Sequence, residues 1–380
     1  MRFLFGSAVL VIAWTILNCA GFQQTSAVQE NASQTVGKLV AVGKLSEARA
    51  AHSATRLPGG SVIIIGGMER NGVFFDDADI FDPKTDSFNK AKGKMNIKRV
   101  SHTATLLRDG KILIVGGWSN RDLPEMSAEI YDPKTESFTA IKNANRRRSA
   151  HTATLLENGK VLIAGGFDGK ERLSEAEIFD AQTNTFSLIG KMLSARSAHS
   201  ATKLVDGKVL LTGGDAARGQ ILSGAEIYDE KTTSFTSTKP MNVVRYKHDS
   251  ILLADNRVLV FGGSDNRDGR GKYKSAEIFD PKTNEFTLTG EMNFARFKIE
   301  ETAVLLKDGR VFIGGGGAGA EIFDPRTNSF TKIAGEFGEP FHFASVTLLN
   351  DGRALIVGGY GNGTSQAGPV STNRAWIFQL

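Results

Sequence analysis

His151-Thr-Ala-Thr-Leu-Leu-Glu-Asn-Gly-Lys-Val-Leu-Ile-Ala-Gly-Gly166 reads as one complete β-hairpin. The apolar, β-branched run to Leu156 is a strand, Glu157-Asn158-Gly159 is a tight turn, and Lys160 to Ala164 is the returning strand. Gly165 and Gly166 end it with two residues that lack Cβ and so permit positive φ or close backbone approach. After a variable loop, Ala176-Glu-Ile-Phe-Asp180 is a third strand, and a turn through Ala181 to Asn184 leads to a fourth at Thr185-Phe-Ser-Leu188. At the equivalent turn stands Asp-Pro-Lys-Thr, beginning at Asp82, Asp132 and Asp280, or Asp-Pro-Arg-Thr from Asp324. Proline there fixes φ and cannot continue a central strand, so the third strand must stop. The double glycine behind an apolar run recurs at Gly66, Gly116, Gly165, Gly213, Gly262, Gly315 and Gly358, at steps of 50, 49, 48, 49, 53 and 43 residues. A period near fifty with four short strands per unit predicts an all-β, seven-bladed propeller of four-stranded antiparallel blades.

These elements resemble the kelch repeat: an apolar run, a double glycine, a loop and a pair of strands carrying aromatics. The resemblance covers residues 36 to 380. It implies that the strands of each blade run outward from a central channel. It also implies how the ring closes, because the last unit ends at Arg374-Ala-Trp-Ile-Phe-Gln-Leu380, its third strand. Lys38 to Gly43 precede Arg49 and His52 as Phe186 to Gly190 precede Arg196 and His199, so the N-terminal strand is expected to complete blade seven.

Composition adds a compartment. Phe3 to Leu17 form an apolar stretch behind Arg2, short for a membrane span and followed by small and polar residues. Residues 1–27 are therefore read as a signal peptide and short leader, 28–35 as a linker and 36–380 as the propeller. Cleavage after Ala20 or Ala27 removes Cys19, the only cysteine, leaving no disulfide or thiol chemistry. The expected location is secreted, periplasmic or extracellular. Ile16-Leu17-Asn18-Cys19 resembles a bacterial lipobox apart from its asparagine, and a lipoprotein anchored at Cys19 is the alternative, the one route to a membrane. The formal charge of +5 comes without long basic runs, so no nucleic-acid partner is expected.

His52, His102, His151, His199 and His248 share one repeat position, and His342 lies near it in blade seven. Imidazoles on separate blades stand too far apart to share one ion, so they are read as structural and no metal or cofactor is expected. Arg49, Arg99, Arg148, Arg196 and Arg245 repeat three residues earlier. Two readings stay open: they pair with blade acids such as Glu129, Glu177, Glu226 and Glu277, or, with the loop residues Arg70, Arg121, Arg172, Arg218, Arg267 and Arg270 and the adjacent Arg146 and Arg147, they form an anion-binding mouth.

Departures from the repeat mark the expected site, because the fold does not require them. Blade six is aligned with Lys298 at the arginine position and Glu301 at the histidine position, with Glu300 and Arg296 added and only Gly317, Ala318 and Gly319 in its loop, which should leave a notch. Blade seven has Phe341 and Ala344 at the two positions. The expected binding set is Arg296, Glu300, Glu301, Trp118, Phe167, Tyr360, Arg121 and Arg148, on the face bearing the double-glycine loops. Partners in view are a glycan, an acidic ligand or a protein.

Enzyme readings meet specific residues. Copper oxidases resembling galactose oxidase need a cysteine joined to a tyrosine, and the chain without its leader has none. Sialidase aspartate boxes, a Walker loop, a dinucleotide fingerprint and a nucleophile elbow are all missing from the sequence. Asp265 to Gly269 has calcium-loop residue types but no terminal glutamate. The resemblance to exported sialic-acid mutarotases makes Glu300 or Glu301 a conceivable base and Arg296 a carboxylate holder, so a carbohydrate-modifying enzyme is the alternative to a binding or scaffold module.

Overall fold

A computed structural model of the protein describes residues 36–380, apart from 71, 121 and 362–369. The leader, the linker, Cys19 and Arg121 lie outside the described residues. Blade three shows the common plan: Thr152–Leu155, Val161–Ala164, Glu175–Asp180 and Thr185–Lys191 pair in that order, each antiparallel to the next. Four further sheets repeat it. An eight-stranded sheet supplies blades six and seven, joined by one parallel pairing, Lys38 with Ala334. Blade seven consists of Ser345–Leu348, Ala354–Val357, Ala375–Gln379 and the N-terminal Lys38–Ala41. Lys38, Leu39, Val40 and Ala41 face Gln379, Phe378, Ile377 and Trp376, which is the expected closure. The first strands of successive blades touch in cyclic order, and the seventh touches the first, so they line a central channel.

The second strand of each blade explains why its sequence does not alternate. Val62, Ile63, Ile64 and Ile65 are all fully buried because the strand has a blade packed on each face. Val62 and Ile64 pack toward blade seven with Leu355 and Ile377, whereas Ile63 and Ile65 pack toward blade two with Ile112 and Ile114. Seven such clusters, one per pair of neighbouring blades, make up the core. Farther out, cross-strand ring pairs such as Phe81–Phe88 and Tyr131–Phe138, with centroids 5.0 and 4.7 Å apart, stitch the third strand to the fourth.

The double glycine is a site of close approach between blades. Gly116 has φ +65°, and a Cβ there would lie 2.4 Å from the Arg148 carbonyl oxygen and 2.9 Å from the His151 ring. The neighbouring Gly117 amide donates to that same carbonyl at 2.8 Å. The chain entering each blade is thus laid across the glycines of the blade before it.

Candidate functional site

The repeated arginines are frame elements. Arg148 is fully buried: its Nη1 donates to the carbonyls of Gly165 and Glu175 at 2.6 and 3.0 Å, and its Nε and Nη2 donate to one Glu177 oxygen at 3.1 and 2.8 Å. Glu177 also accepts the Asn145 backbone and side-chain N–H groups, each at 2.7 Å. Arg99, Arg196, Arg245 and Arg296 repeat this pattern with Glu129, Glu226, Glu277 and Glu321, and Arg49 does so with Asp77 and Asp79. Arg148 and Arg296 therefore leave the expected ligand-binding set, because neither guanidinium reaches solvent. Sealed in this way, Arg296 is not available to hold a substrate carboxylate. Blade seven fills the two corresponding places with apolar rings, Phe341 and Trp376, whose centroids are 5.0 Å apart.

The histidines are clips between blades. Nε2 of His102, His151 and His199 shares a 3.0 Å hydrogen bond with the hydroxyl of Ser53, Thr103 and Thr152 respectively, each on the preceding blade. His52 does the same with Ser345 at 2.9 Å across the closure. In these four the partner is a side-chain hydroxyl. His248 turns instead to Thr212 at 2.8 Å. Burial, helped by the neighbouring arginines, pushes His52, His102 and His151 down to about 3, so they are neutral at pH 7.

Blade six departs from the expected alignment. The backbone N–H of Lys298, at φ +55°, continues a ring of interblade bonds in which Ala51, Ser101, Ala198, Lys247 and Phe343 hold the same place. Arg296 is thus the repeat arginine, and Ile299 lies against Gly262 where other blades place the imidazole. Glu300 and Glu301 are a two-residue insertion. They form a turn closed by the Thr302 hydroxyl donating to the Ile299 carbonyl at 2.8 Å, with Glu301 at φ +58°. The freed Thr302 amide donates to Asp249 at 2.9 Å, on the neighbouring blade, where the other blades carry serine or threonine. The insertion shifts everything after it by two residues, which is why counting back from the hairpin turn misplaced it. Nor does the short loop leave an open notch: the Phe294 side chain lies against Gly317 through its Cβ and against Gly319 through its ring.

Asp249, Glu300 and Glu301 line a cavity of about 160 Å³ in the channel, together with the inner-strand serines and threonines. Neither carboxylate has a hydrogen-bond or ion-pair partner among the described residues, although the Glu301 carbonyl accepts the Val346 amide at 2.9 Å. Both touch the channel's solvent yet are ringed by protein, and that surrounding raises Glu300 to about 6 and Glu301 to about 7, the latter helped by Glu300. Burial likewise raises Asp249 to about 7 against the two amides it accepts.

On the double-glycine face, the residue after the glycine pair in blades two, three, four, five and seven is held by two bridges, one to the residue after the repeat-arginine position and one to the returning loop. Trp118 and Phe167 occupy this place in blades two and three, half-buried, with centroids 6.2 Å apart. Arg172 lies over Phe167 at 5.0 Å and donates through Nε to Asp215 at 2.8 Å, while Ser197 Oγ donates to the other Asp215 oxygen. These groups, with Tyr246, Lys247 and Asn266, line a groove of about 510 Å³. Tyr360 belongs to a separate cluster. Lys298 Nζ donates to its hydroxyl at 2.8 Å and sits 5.0 to 5.6 Å from the Phe297, Phe343 and Tyr360 rings. The expected residues thus fall into three places: the groove with Trp118 and Phe167, the channel with Glu300 and Glu301, and the Lys298 cluster with Tyr360. Asp215 and Lys247 were not singled out in the sequence as groove residues. Asp215 carried a signal, since it follows a double glycine exactly where Trp118 and Phe167 do.

Among the described residues no group of three or more His, Cys, Asp or Glu side chains is arranged to hold a metal ion; five histidines bond hydroxyls, and His342 Nδ1 lies 3.3 Å from the Phe297 carbonyl. The donor set does not fit a copper centre. A family model for the KLHDC2/KLHL20/DRC7 Kelch-repeats domain matches residues 19–214, and one for the Kelch motif matches 251–293. The chain belongs to the kelch-repeat family. Among solved structures it is similar to a novel fungal alcohol oxidase with catalytic diversity among the AA5 family, in complex with copper, at 19% identity and a TM-score of 0.71, covering 90% of this chain and 76% of that one. That likeness concerns the fold alone. No curated protein matches the chain.

Proposed function

We propose that the protein is an exported binding module that takes a carbohydrate in the groove between the loops of blades two to five. A kelch propeller suits a binding or scaffold role in general. The single observation that carries the finer reading is the Trp118–Phe167 pair, two half-buried aromatic faces on a groove of about 510 Å³ that also offers hydroxyl, amide and carboxylate groups. Aromatic faces pack on the C–H faces of a pyranose while polar neighbours meet its hydroxyls. The anion-binding mouth loses its main support, since the repeated arginines are consumed by the frame. Export rests on the apolar stretch from Phe3 to Leu17, and N-terminal mass spectrometry of the mature protein tests it: cleavage after Ala20 or Ala27 supports export, and an intact Met1 refutes it. The ligand reading is tested on a glycan array. The wild type is expected to retain a defined set of glycans, and Trp118→Ala and Phe167→Ala are expected to lose them while staying folded. Retention unchanged in both variants would refute it.

A further inference from the structure

Building on that carbohydrate reading, we infer that the groove selects uncharged sugars and rejects uronic acids, and that Asp215 sets this preference by neutralising Arg172. The charged side chains lining the groove are Arg172, Asp215 and Lys247. Arg172 gives Nε and Nη2 to Asp215, leaving only Nη1 without a hydrogen bond among the described residues. Asp215 is 7% exposed and receives Ser197 on its second oxygen, so it cannot swing away. Lys247 is held by Asp268 at 2.8 Å, and the Tyr246 hydroxyl donates to the same Asp268 oxygen, also at 2.8 Å. An incoming carboxylate therefore finds both cations already paired and must lose water without gaining a free charge. In the adjoining channel the Glu300 carboxylate, which has no ion-pair partner among the described residues, adds repulsion, with a smaller share from Glu301, which is raised to about 7. The rim cation Arg218 is exposed, and solvent screens it. A neutral sugar pays no such cost, and its hydroxyls meet donors and acceptors on Arg172, Asn266 and Ser197.

The test compares neutral gluco-oligosaccharides with oligogalacturonates of equal length by titration calorimetry on the mature protein. The wild type is expected to bind the neutral series at least about tenfold more tightly, since one unpaid charge-assisted bond is worth that much. Asp215→Asn keeps the shape but frees Arg172, and is expected to raise oligogalacturonate affinity about tenfold. Asp268→Asn frees Lys247 in the same way and serves if the first variant does not fold. Equal wild-type affinity for the two series, or an unchanged ratio in a folded variant, overturns the inference and leaves the carbohydrate reading standing. Failure of every neutral and acidic glycan to bind the folded wild type overturns both.

Discussion

Replacing Arg148 by Met should be among the most damaging single changes in the propeller, although the residue touches no solvent and no ligand. The substitution removes four hydrogen bonds: two to the Gly165 and Glu175 carbonyls, and two to Glu177. It also strands Glu177, fully buried, with only the two Asn145 N–H groups against its charge. Breaking a buried pair from one side costs about 3–5 kcal/mol, mostly for the orphaned charge. The double variant Arg148→Met, Glu177→Leu removes that charge, as blade seven does with Phe341 and Trp376. Its remaining cost is the lost acceptor for Asn145 and the unpaired carbonyls, about 1–3 kcal/mol. The double variant should therefore be more stable than the single one. Urea unfolding followed by circular dichroism measures both. A loss below about 1 kcal/mol for Arg148→Met, or a double variant as unstable as the sum of the two singles, would refute the reasoning.

A chain starting at Lys44 should melt well below the mature protein, by roughly 3 kcal/mol of lost stability, since it loses the ladder on Ala375–Gln379 and the packing of Leu39; an unchanged melting temperature refutes the closure. Gly116→Ala should lose more than about 1 kcal/mol in urea unfolding, because its Cβ would press on the Arg148 carbonyl at positive φ. The five clip histidines are held below their unfolded value of 6.5, so the unfolded chain binds more protons and stability should fall as pH drops from 6.5 toward 3. His151→Gln should reduce that slope by about one proton, roughly 1.4 kcal/mol per pH unit, in urea midpoints measured across the window. The channel carboxyls act oppositely: raised in the fold, they favour it when protonated and weaken it as pH rises through about 7, so Glu301→Gln should stabilise the protein at pH 8.

The fold was legible because its signals repeat. One hairpin, read at His151 to Gly166, occurs seven times, and each copy corrects for noise in the others; even the closing strand at Lys38 could be placed by its distance from Arg49. The site was less legible because a repeated residue states the needs of the blade and says little about a ligand. Arg148 and Arg296 looked like ligand-facing cations, and only the backbone path shows that each guanidinium turns inward to Glu177 and Glu321. The insertion at Glu300 could not be seen by counting from the turn, since Ile299 fills the space of an imidazole without resembling one. The pairing of Arg172 with Asp215 joins residues on neighbouring blades whose loops differ in length, and no spacing in the chain announces it.

The most direct test of the binding site is a crystal structure of the mature protein soaked with a neutral gluco-oligosaccharide. A pyranose ring packed against Trp118 and Phe167, with hydroxyls within hydrogen-bond reach of Arg172 and Asn266, is the expected result. A sugar seated instead in the channel against Glu300 and Glu301, or on the opposite face at the Asp109-Gly110 and Asp206-Gly207 turns, would contradict it.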